Sequence, residues 1–511
     1  MAIEIGKLGV YSEVGTLNKV LIHYPDKGIG GVIPSKAQEW LYEDIVHLER
    51  MQKEYEYFRK ILLAYMDPDV LLEWIKLEQS GLTSKASPAS VYSPDFISSN
   101  KVIDTEELLA DVLAEPLIRL QLVASVCAIE GTRHVIQEYL ADPKELSPKQ
   151  LARVLITGIL DETRLKDSDS GLVFAPIPNF LFTRDIGITI GDYLLLSKAA
   201  RQSRKRESIL ARYIAYYALF KGCPDKVIEI ANDHDAFLQE ASIQESQDVT
   251  IEGGDVMAIA PGHLLIGFSE RTTPYACEKV IQTLFKMNQC KIKKISIVKL
   301  PRMRAMMHLD TVMTQVSRNT WVLFKQLVEH NGIDINRADI FEELGVPVPK
   351  ASNFAEVSQF VRKGNIGNYK INKKISSLKD LLMDISCNDY GCRPEEVQFI
   401  YSAQGNLLHD EREQWTDSCN VTAIKEGVVV GYDRNDHTAL GFEKAGYKPV
   451  LIKEVIDLLA EKIRQNPDFD IAAFLSQTVP EKVLLMLPSA ELSRARGGPH
   501  CMTMPISRSH L

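Results

Sequence analysis

Apolar residues in this chain follow two patterns, and the first consists of short apolar runs paired across a turn. Each pair follows an acidic or amide residue and has a strand-like run, a turn and a second apolar run. That order is typical of a β-hairpin. Four such modules occur: RDIGITIGDYLLLSK from Arg184, GGDVMAIAPGHLLIGFSE from Gly253, LDTVMTQVSRNTWVLFK from Leu309 and NVTAIKEGVVVGYDR from Asn420. A related single strand is predicted in TLNKVLIHYP at 16–25.

The modules form an irregular internal repeat. From Asp185 to Asp255, Asp310 and Asn420 the successive spacings are 70, 55 and 110 residues. Such uneven spacing excludes a solenoid of fixed period and indicates a repeat with insertions. Strand units joined by helical stretches predict α and β layers arranged around a centre. We therefore expect an α/β fold.

The second pattern has apolar residues at helical spacing. It runs through 43–66 and again through 104–160. Within the second stretch, Ser147 followed by Pro148 resembles a helix N-cap with proline in the first turn. Both stretches are therefore predicted to be helical.

Three segments interrupt this alternation. Residues 81–100 are rich in Ser and Pro and are interpreted as a linker or exposed loop. We place a helical insertion at about 100–165 within the repeated αβ body. A polar stretch at about 332–378 interrupts the body a second time, and the sequence does not indicate its role.

Composition narrows the classes of function. The chain has 511 residues, of which 45% are hydrophobic and 25% charged, and its formal net charge is -9. That negative charge argues against a general nucleic-acid-binding role. The first residues lack the basic start and apolar stretch of a signal peptide, and no run approaches the roughly 18 apolar residues of a spanning helix. We expect a cytoplasmic protein that binds neither nucleic acid nor membrane.

The cysteines do not predict a disulfide framework or a zinc site. Eight cysteines lie at scattered positions, unlike the dense spacing of disulfide-rich proteins. Only Cys387 and Cys392 are close, in CNDYGC, and a second pair to complete a zinc site is missing. The basic cluster RQSRKR at 201–206 is interpreted first as a solvated loop and second as a site for an anionic group.

One thiol, Cys501 in RARGGPHCMTMP, follows a glycine-rich bend. Taken alone it is interpreted as a buried structural thiol. A nucleophilic thiolate needs a base or a positive environment, and the module starts supply candidates. His308 and Asp310 are two residues apart and share one face of a strand, while Glu252 and Asp255 flank two glycines that permit close approach to a ligand. If the modules pack about one axis, these groups meet Cys501.

Each of these residues also has an alternative interpretation. Aspartate before a strand is commonly a turn former, a lone histidine is often structural, and EGGD can be simply a tight turn. His308, Asp310, Glu252 and Asp255 could also bind a metal, although carboxylate-rich sites usually hold hard cations. The residues by themselves leave these alternatives open.

Seven short motifs occur in a fixed order along the chain: YSEVG, FTRD, EGGDV, SERTT, HLDTV, REQW and RGGPHCM. Together they resemble arginine deiminase, of the guanidino-group-modifying superfamily. The resemblance reaches both ends of the chain and fails chiefly at 67–165 and 332–378. It implies a five-bladed αβ-propeller of pseudo-repeated ββαβ units with an inserted helical bundle, forming one catalytic domain across 1–511.

The resemblance also implies a reaction, the hydrolysis of L-arginine to L-citrulline and ammonia through an S-alkylthiouronium intermediate on Cys501. Neither metal nor organic cofactor is implied. Asp185 and Asp310 would bind the planar guanidinium of the substrate, His308 would act as acid and then base, and Glu252 would orient His308. The further substrate-binding residues are Arg271 and Arg496, which match the family's carboxylate-binding arginines, and Asn179, Phe182 and Asp255.

Several points stay open at this stage. Relatives form dimers or higher assemblies, which implies a homo-oligomer. Arg201, Arg204 and Arg206 match a segment that forms a mobile active-site gate in relatives, and the sequence does not rank them. Ala495 stands where close relatives tend to have glycine.

Other functions also fit the pattern. The alternatives are an amidinotransferase or another guanidine deiminase of the superfamily, a catalytically silent binding protein, and a metal-dependent hydrolase. Arg271 and Arg496 disfavour agmatine as substrate, because agmatine has no carboxylate.

Overall fold

Helices and strands alternate through most of the chain in the computed structural model. The structure describes residues 8–36, 39–42, 44–82, 84–159, 172–230, 249–328, 355–364, 367–372, 374–375 and 377–511. Within these ranges the architecture is a mixed α/β fold, as the sequence predicts.

The strands of the described residues form five sheets. The strands are β1 (Leu17–Ile22), β2 (Val102–Asp104), β3 (Gly187–Ile190), β4 (Tyr193–Leu196), β5 (Val227–Ile228), β6 (Val256–Ala260), β7 (His263–Phe268), β8 (Lys294–Lys299), β9 (Met313–Ser317), β10 (Thr320–Leu323), β11 (Glu356–Arg362), β12 (Tyr369–Asn372), β13 (Gln398–Tyr401), β14 (Thr422–Lys425), β15 (Val428–Tyr432), β16 (Lys448–Leu451), β17 (Val483–Leu487) and β18 (Met504–Arg508).

One pairing pattern recurs in each of these five sheets. An antiparallel pair of strands shares its second strand with a parallel neighbour. The triplets, in order across each sheet, are β18–β1–β2, β3–β4–β5, β6–β7–β8, β9–β10–β13 and β14–β15–β17. The four predicted hairpins are the antiparallel pairs of the last four triplets and are confirmed. The predicted strand within 16–25 is β1 and is confirmed as well.

Fourteen α-helices lie in the described ranges. They are α1 (Lys27–Gly30), α2 (Leu48–Met66), α3 (Pro68–Ser80), α4 (Thr105–Leu113), α5 (Pro116–Glu130), α6 (His134–Ala141), α7 (Pro148–Thr157), α8 (Lys205–Ile214), α9 (Pro274–Lys286), α10 (Leu378–Asp384), α11 (Leu407–Trp415), α12 (Asp436–Lys444), α13 (Ile452–Gln465) and α14 (Ile471–Thr478).

Both helical stretches read from the sequence are confirmed. The first is α2, and the second is the run α4 to α7. Ser147 caps α7 through a capping box: its hydroxyl accepts from the Gln150 N–H, and the Gln150 side chain accepts from the Ser147 N–H. This reciprocal pair satisfies two backbone donors that a helix start otherwise leaves unpaired.

The apolar core lies where amphipathic helices cover the sheets. Helix α13 buries Ile452, Val455, Ile456, Leu459 and Ile463 along one face, the spacing expected of a helix with a single apolar stripe. That stripe shares a cluster with α2 and with the sheet of β14, β15 and β17. Burial of such side chains supplies most of the favourable free energy of folding.

The Ser/Pro-rich stretch 81–100 differs from the prediction of an exposed loop. It has neither helix nor strand in its described residues, but Ala89, Val91 and Ile97 are buried. The buried side chain of Arg59 donates to the carbonyls of Ala89 and Ile97, at 2.7 and 2.5 Å. A buried guanidinium that lacks acceptors is costly, so this contact fixes the segment against α2.

The extra segment at 332–378 contributes strands to an existing sheet. Residues 332–354 lie outside the described residues. The described part forms the antiparallel hairpin β11–β12, and β11 pairs antiparallel with β8. The sheet of β6, β7 and β8 is thereby widened to five strands.

The first sheet joins distant parts of the chain. β1 pairs with β18, and Arg508 at the end of β18 donates to the carbonyls of Gly15 and Ala423 at 2.7 and 2.8 Å. The residues that precede β18 are thereby held within the fold.

Among the described helices, none has by itself both the length and the apolar composition of a membrane span. The pair α4 and α5, bent by 114°, reaches that length and composition only when the two helices are taken together.

Candidate functional site

In each of the five antiparallel pairs, a polar side chain lies one to three residues before the first strand of the triplet. In the first sheet that strand is β18. These residues are Asp185, Asp255, Asp310, Asn420 and Cys501. The first three belong to short 3-10 turns, at Thr183–Ile186, Gly253–Asp255 and Leu309–Thr311. The structure brings most of this set to one place, as the repeated pattern predicts.

The thiol of Cys501 is buried between two of these side chains. Sγ lies 3.3 Å from Oδ2 of Asp310 and 3.1 Å from Nδ2 of Asn420. Burial raises the pKa of Cys501 well above its usual 9.0, and the charges of Asp310, Asp185 and Asp417 raise it further. The sulfur is therefore a protonated thiol in this structure at neutral pH.

The bend before Cys501 brings backbone close to Asn420. A Cβ at Gly498 would lie 2.6 Å from the carbonyl oxygen of Asn420 and 2.7 Å from its Oδ1. Only glycine therefore fits at this point of the bend.

His308 and Glu252 form a buried pair beside the thiol. Nε2 of His308 lies 2.9 Å from Oε2 of Glu252, and Nδ1 lies 3.8 Å from Oδ1 of Asp185. Burial alone would lower the pKa of His308, but Asp185, Glu252 and Asp255 outweigh it and raise the value to about 9. The Glu252 carboxyl is buried, which would raise its pKa, but Arg204 and His308 hold that pKa well below its usual range.

Asp310 is held from behind by a second chain of buried groups. Its Oδ2 accepts from Nδ1 of His500 at 2.9 Å, and Nε2 of His500 lies 3.4 Å from Glu13. Glu13 in turn pairs with the buried guanidinium of Arg184 at 3.3 Å. Burial opposes ionisation of Asp310, but the hydrogen bond and charge of His500 lower its pKa. Asp310 is thus kept as a carboxylate next to the sulfur.

Of the three arginines in the basic cluster, Arg204 is the one that contacts the carboxylates near Cys501. Its Nη1 donates to Oδ2 of Asp185 at 2.9 Å and to Oε2 of Glu252 at 3.0 Å. On its other edge, Nε and Nη2 lie 2.9 and 2.8 Å from Oε2 of Glu207. By contrast, Arg201 is exposed and pairs with Glu270. The guanidinium of Arg204 is therefore hydrogen-bonded to Asp185 and Glu252, two carboxylates that line the same cavity as Cys501.

Arg206, the third arginine of the cluster, is buried against Glu130 and the carbonyl of Ala175. It does not reach the carboxylates around Cys501. The basic cluster is therefore divided among three environments, not solvated as a whole.

The cavity in front of Cys501 is small. It measures about 30 Å³, room for about one water molecule. Beyond it lies an open vestibule of about 1360 Å³. Leu41 and Arg304 line both spaces, and Nη2 of Arg304 lies 3.5 Å from the carbonyl oxygen of Leu41. These two residues are therefore shared by the linings of the vestibule and the inner cavity.

Four predicted substrate-binding residues line the inner cavity: Arg271, Arg496, Asn179 and Phe182. Arg271 is buried, and in the described chain no acceptor binds its Nε or Nη1. Burial lowers the pKa of Arg271, as expected for a cation whose hydration is incompletely replaced. Arg496 stacks on the ring of Trp415, with Cζ 3.5 Å from the ring centroid. Asn179 donates to the carbonyl of Trp40 at 2.8 Å.

Asp255 is the predicted substrate-binding residue that the structure places elsewhere. Its Oδ1 accepts from the Leu309 N–H at 2.9 Å and its Oδ2 from the Ser269 hydroxyl at 2.6 Å. Asp255 is fully buried and does not line the cavity. Its carboxylate holds the turn that carries Asp310, and the substrate contact predicted for Asp255 stays a prediction.

Three of the site residues have the geometry of a metal-ligand set. One ligand atom each of Asp185, Glu252 and His308 lies within 4.8 Å of the others. Nη1 of Arg204 bonds the same two carboxylates, so a cation would have to displace the guanidinium to bind there.

The sequence-based set of site residues omits Asn420, Arg204, His500 and Glu13. Asn420 had a usable signal, because it begins the fourth module as Arg184, Gly253 and Leu309 begin the others. Arg204 had a weaker signal, because it is one of three arginines in a segment predicted to lie at the active site. His500 and Glu13 had none beyond their motifs, since their contacts come from tertiary packing.

The chain is similar to proteins of one family. The arginine deiminase family model matches residues 156–508. Relatives include the arginine deiminases of Borreliella burgdorferi (strain ZS7), 28% identical over 521 residues with 99% of each chain covered, and of Treponema denticola, 28% identical over 513 residues with 99% of each covered.

Solved structures similar to this chain include an amidinotransferase and one domain of an arginine dihydrolase. SxtG, an amidinotransferase from Microseira wollei, is 11% identical with a TM-score of 0.43, covering 99% of this chain and 98% of that one. The product-bound N-terminal domain of ArgZ, a cyanobacterial arginine dihydrolase, is 14% identical with a TM-score of 0.33, covering 65% of this chain and 76% of that one.

Proposed function

Because the chain belongs to the arginine deiminase family, we propose that it hydrolyses L-arginine to L-citrulline and ammonia. The observation that carries this proposal is the meeting of a thiol, a His–Glu pair and Asp185 at one small cavity, with Asp310 buried against the thiol. Cys501, His308, Glu252, Asp185 and Asp310 lie within direct contact of one another or of a shared neighbour.

The carboxylates suit the substrate. Arginine presents a planar guanidinium with donors in a fixed fork, and carboxylates can bind such a fork by paired, charge-assisted hydrogen bonds. Arg204 of the chain already makes such contacts with Asp185 and Glu252. Oδ1 of Asp185 and Oδ1 of Asp310 have no hydrogen-bond donor among the described residues. A substrate guanidinium that displaces Arg204 would supply those donors.

The reaction proceeds in two halves. Cys501 is a thiol at rest, and binding of the cationic guanidinium favours loss of its proton to solvent. The thiolate then attacks the central guanidinium carbon, a C–N bond breaks, and His308, protonated because its pKa is raised to about 9, gives its proton to the departing ammonia. Water then attacks the thiouronium carbon while His308 takes a proton from it. The C–S bond then breaks while the second proton of that water passes to solvent, which releases citrulline and restores the thiolate.

The α-carboxylate of the substrate requires a cationic partner in the protein. Nε and Nη1 of Arg271, at the cavity wall, make no hydrogen bond with the described residues, and a planar guanidinium binds a carboxylate through two parallel bonds. We assign Arg271 and Arg496 to the substrate carboxylate and Asn179 and Phe182 to the substrate stem. Substrates lacking a carboxylate, such as agmatine, would leave Nε and Nη1 of Arg271 without a hydrogen-bond acceptor.

The wider architecture follows from the same proposal. The five triplets of strands are proposed to be the blades of a five-bladed αβ-propeller of ββαβ units, forming one catalytic domain across 1–511. The insertion at about 100–165 would be its helical bundle, and the segment at about 332–378 an addition to one blade. The proposed setting is a cytoplasmic homo-oligomer.

The test is an assay of citrulline and ammonia with purified protein and L-arginine. We expect the two products in equal amounts, and none from Cys501→Ala. Cys290→Ala, which removes another buried cysteine outside the site, is the matched control and should keep wild-type turnover. Formation of ornithine and an amidino-amine when an acceptor amine is added would indicate an amidinotransferase. No turnover of arginine by the wild-type protein would overturn the proposal.

A further inference from the structure

Asn420 makes three hydrogen bonds around the nucleophile. Its Oδ1 accepts from the backbone N–H of Cys501 at 3.0 Å, and its Nδ2 lies 3.0 Å from the carbonyl oxygen of Asp310 and 3.1 Å from Sγ of Cys501. The side chain is fully buried. It joins the fourth hairpin, the turn of Asp310 and the bend that carries Cys501.

The orientation of this amide is fixed by its partners. A backbone N–H only donates and a backbone carbonyl only accepts, so Oδ1 must face the Cys501 N–H and Nδ2 must face the Asp310 carbonyl. A side-chain amide has two N–H donors. One points to the Asp310 carbonyl, and the other is left for the sulfur.

The sulfur needs such a donor. Asp310 is a carboxylate 3.3 Å away, and Asp185 and Asp417 add negative charge nearby. All three oppose formation of the thiolate. In the described chain, the Asn420 amide is the one uncharged hydrogen-bond donor that contacts Sγ.

We propose that Asn420 is a catalytic residue whose side-chain N–H stabilises the Cys501 thiolate. The bond is stronger when sulfur is negative, because hydrogen bonds to a charged acceptor exceed those to a neutral one. The thiolate occurs twice in the proposed reaction, as attacking group and again as leaving group when the C–S bond breaks. The contact therefore assists both halves. This inference rests on the proposed function and adds a residue to it.

Two substitutions separate this role from simple support of the bend. Asn420→Ala removes the donor without adding charge. Asn420→Asp keeps an oxygen for the Cys501 N–H but replaces the donor with an acceptor. The thiol pKa is followed by the ultraviolet absorbance of the thiolate, each variant being referred to the same variant with Cys501→Ser. That measurement needs no arginine.

For Asn420→Ala we expect the thiol pKa to rise by about one to two units and kcat to fall by about 10- to 100-fold, since one hydrogen bond to a charged group is lost. KM should change little, because the groups assigned to the substrate remain. Asn420→Asp should be at least as impaired. Asn435→Ala is the control: Asn435 is also a buried amide, bonded to Thr416, and should leave the thiol pKa and kcat unchanged.

Three outcomes would overturn the inference. An unchanged thiol pKa in Asn420→Ala would show that the donor is irrelevant to the sulfur. Near-normal kcat in Asn420→Asp would show that only the contact with the Cys501 N–H matters. An equal shift in Asn435→Ala would make the effect general. Because the pKa is measured without substrate, a failure of arginine hydrolysis would be seen separately, in the wild-type protein.

Discussion

Nε2 of His308 lies 2.9 Å from Oε2 of Glu252, and both side chains are buried. In so closed a position an isolated imidazole would lose its proton, because burial disfavours the charged form. The neighbouring carboxylates reverse this effect and raise the pKa of His308 to about 9. A proton is thus stored beside the thiol at neutral pH.

Removing the charge of Glu252 should release that proton at lower pH. In Glu252→Gln one of the carboxylates that raise the pKa of His308 is lost, while Asp185 and Asp255 remain. The midpoint of His308 should therefore move downward from about 9. An NMR titration of the histidine ring protons, assigned with His308→Ala, measures it. A midpoint that stays in place would contradict the role given to Glu252.

Asp310→Asn should change thiol acidity and catalysis in opposite directions. The carboxylate lies 3.3 Å from Sγ and is the leading charge that raises the pKa of Cys501. Its neutral replacement should lower that pKa, while kcat/KM for arginine should fall by about a hundredfold or more, since charge-assisted bonds to the guanidinium are lost. Thiolate absorbance and citrulline release provide the two readings. If both the thiolate fraction and the rate of citrulline release rose in Asp310→Asn, the assignment of Asp310 to the substrate would be refuted.

Gly254→Ala should lower activity through a steric clash with His308, without removing any polar group of the site. A Cβ there would lie 2.7 Å from Nδ1 of His308 and 3.0 Å from Oδ1 of Asp310, closer than carbon can approach, so His308 must shift. Citrulline production should drop by at least about tenfold, as expected when catalytic groups are displaced. Gly441→Ala in α12 is the control, with Ile400 Cγ2 as nearest atom at 3.3 Å; it should retain activity. Equal activity in the two variants would contradict the prediction.

A pH-dependent contribution to stability is expected from His23. Its Nε2 lies 3.2 Å from Oδ2 of Asp26 and its Nδ1 3.6 Å from Oδ1 of Asp104. Burial would lower its pKa, but these two partners raise it from 6.5 to about 10. The folded-state pKa is the higher one, so the stabilisation is complete below about pH 6.5 and is lost as the pH rises through about 10.

His23→Asn should therefore lower the free energy of unfolding by about 3–5 kcal/mol in mildly acidic solution, the cost of breaking a buried ion pair. The difference from the wild-type protein should shrink in strongly alkaline solution. Denaturant titrations at the two extremes measure it. A difference that does not depend on pH would mean that His23 is neutral in the fold.

The sequence predicts the parts of this fold that depend on local pattern. Each hairpin has its apolar runs and turn within a few residues, so β3–β4 and β14–β15 can be read directly. The convergence of Asp185, Asp310 and Cys501 follows because the modules repeat: groups at equivalent positions meet when the copies pack about a centre.

Long-range packing accounts for what the sequence does not predict. The guanidinium of Arg204, the residue just before α8, reaches Asp185 because α8 packs against the turn Thr183–Ile186, and RQSRKR contains no sign of that packing. The stretch 81–100 is polar in composition, yet the buried Arg59 holds its carbonyls. Asp255 has the same local setting as Asp185, and only the neighbouring Leu309 and Ser269 decide that it braces a turn.

The pairing of β1 with β18 has a consequence for how the protein folds. Residues 17–22 are synthesised long before residues 504–508, so this sheet stays incomplete while the chain between its two strands is made. Until β18 is made, β1 has an open edge, and an open edge can recruit a strand from another molecule. Closing so large a loop is also slow. Dilute conditions should accordingly favour recovery of native protein from denaturant, and crowded ones should favour precipitation.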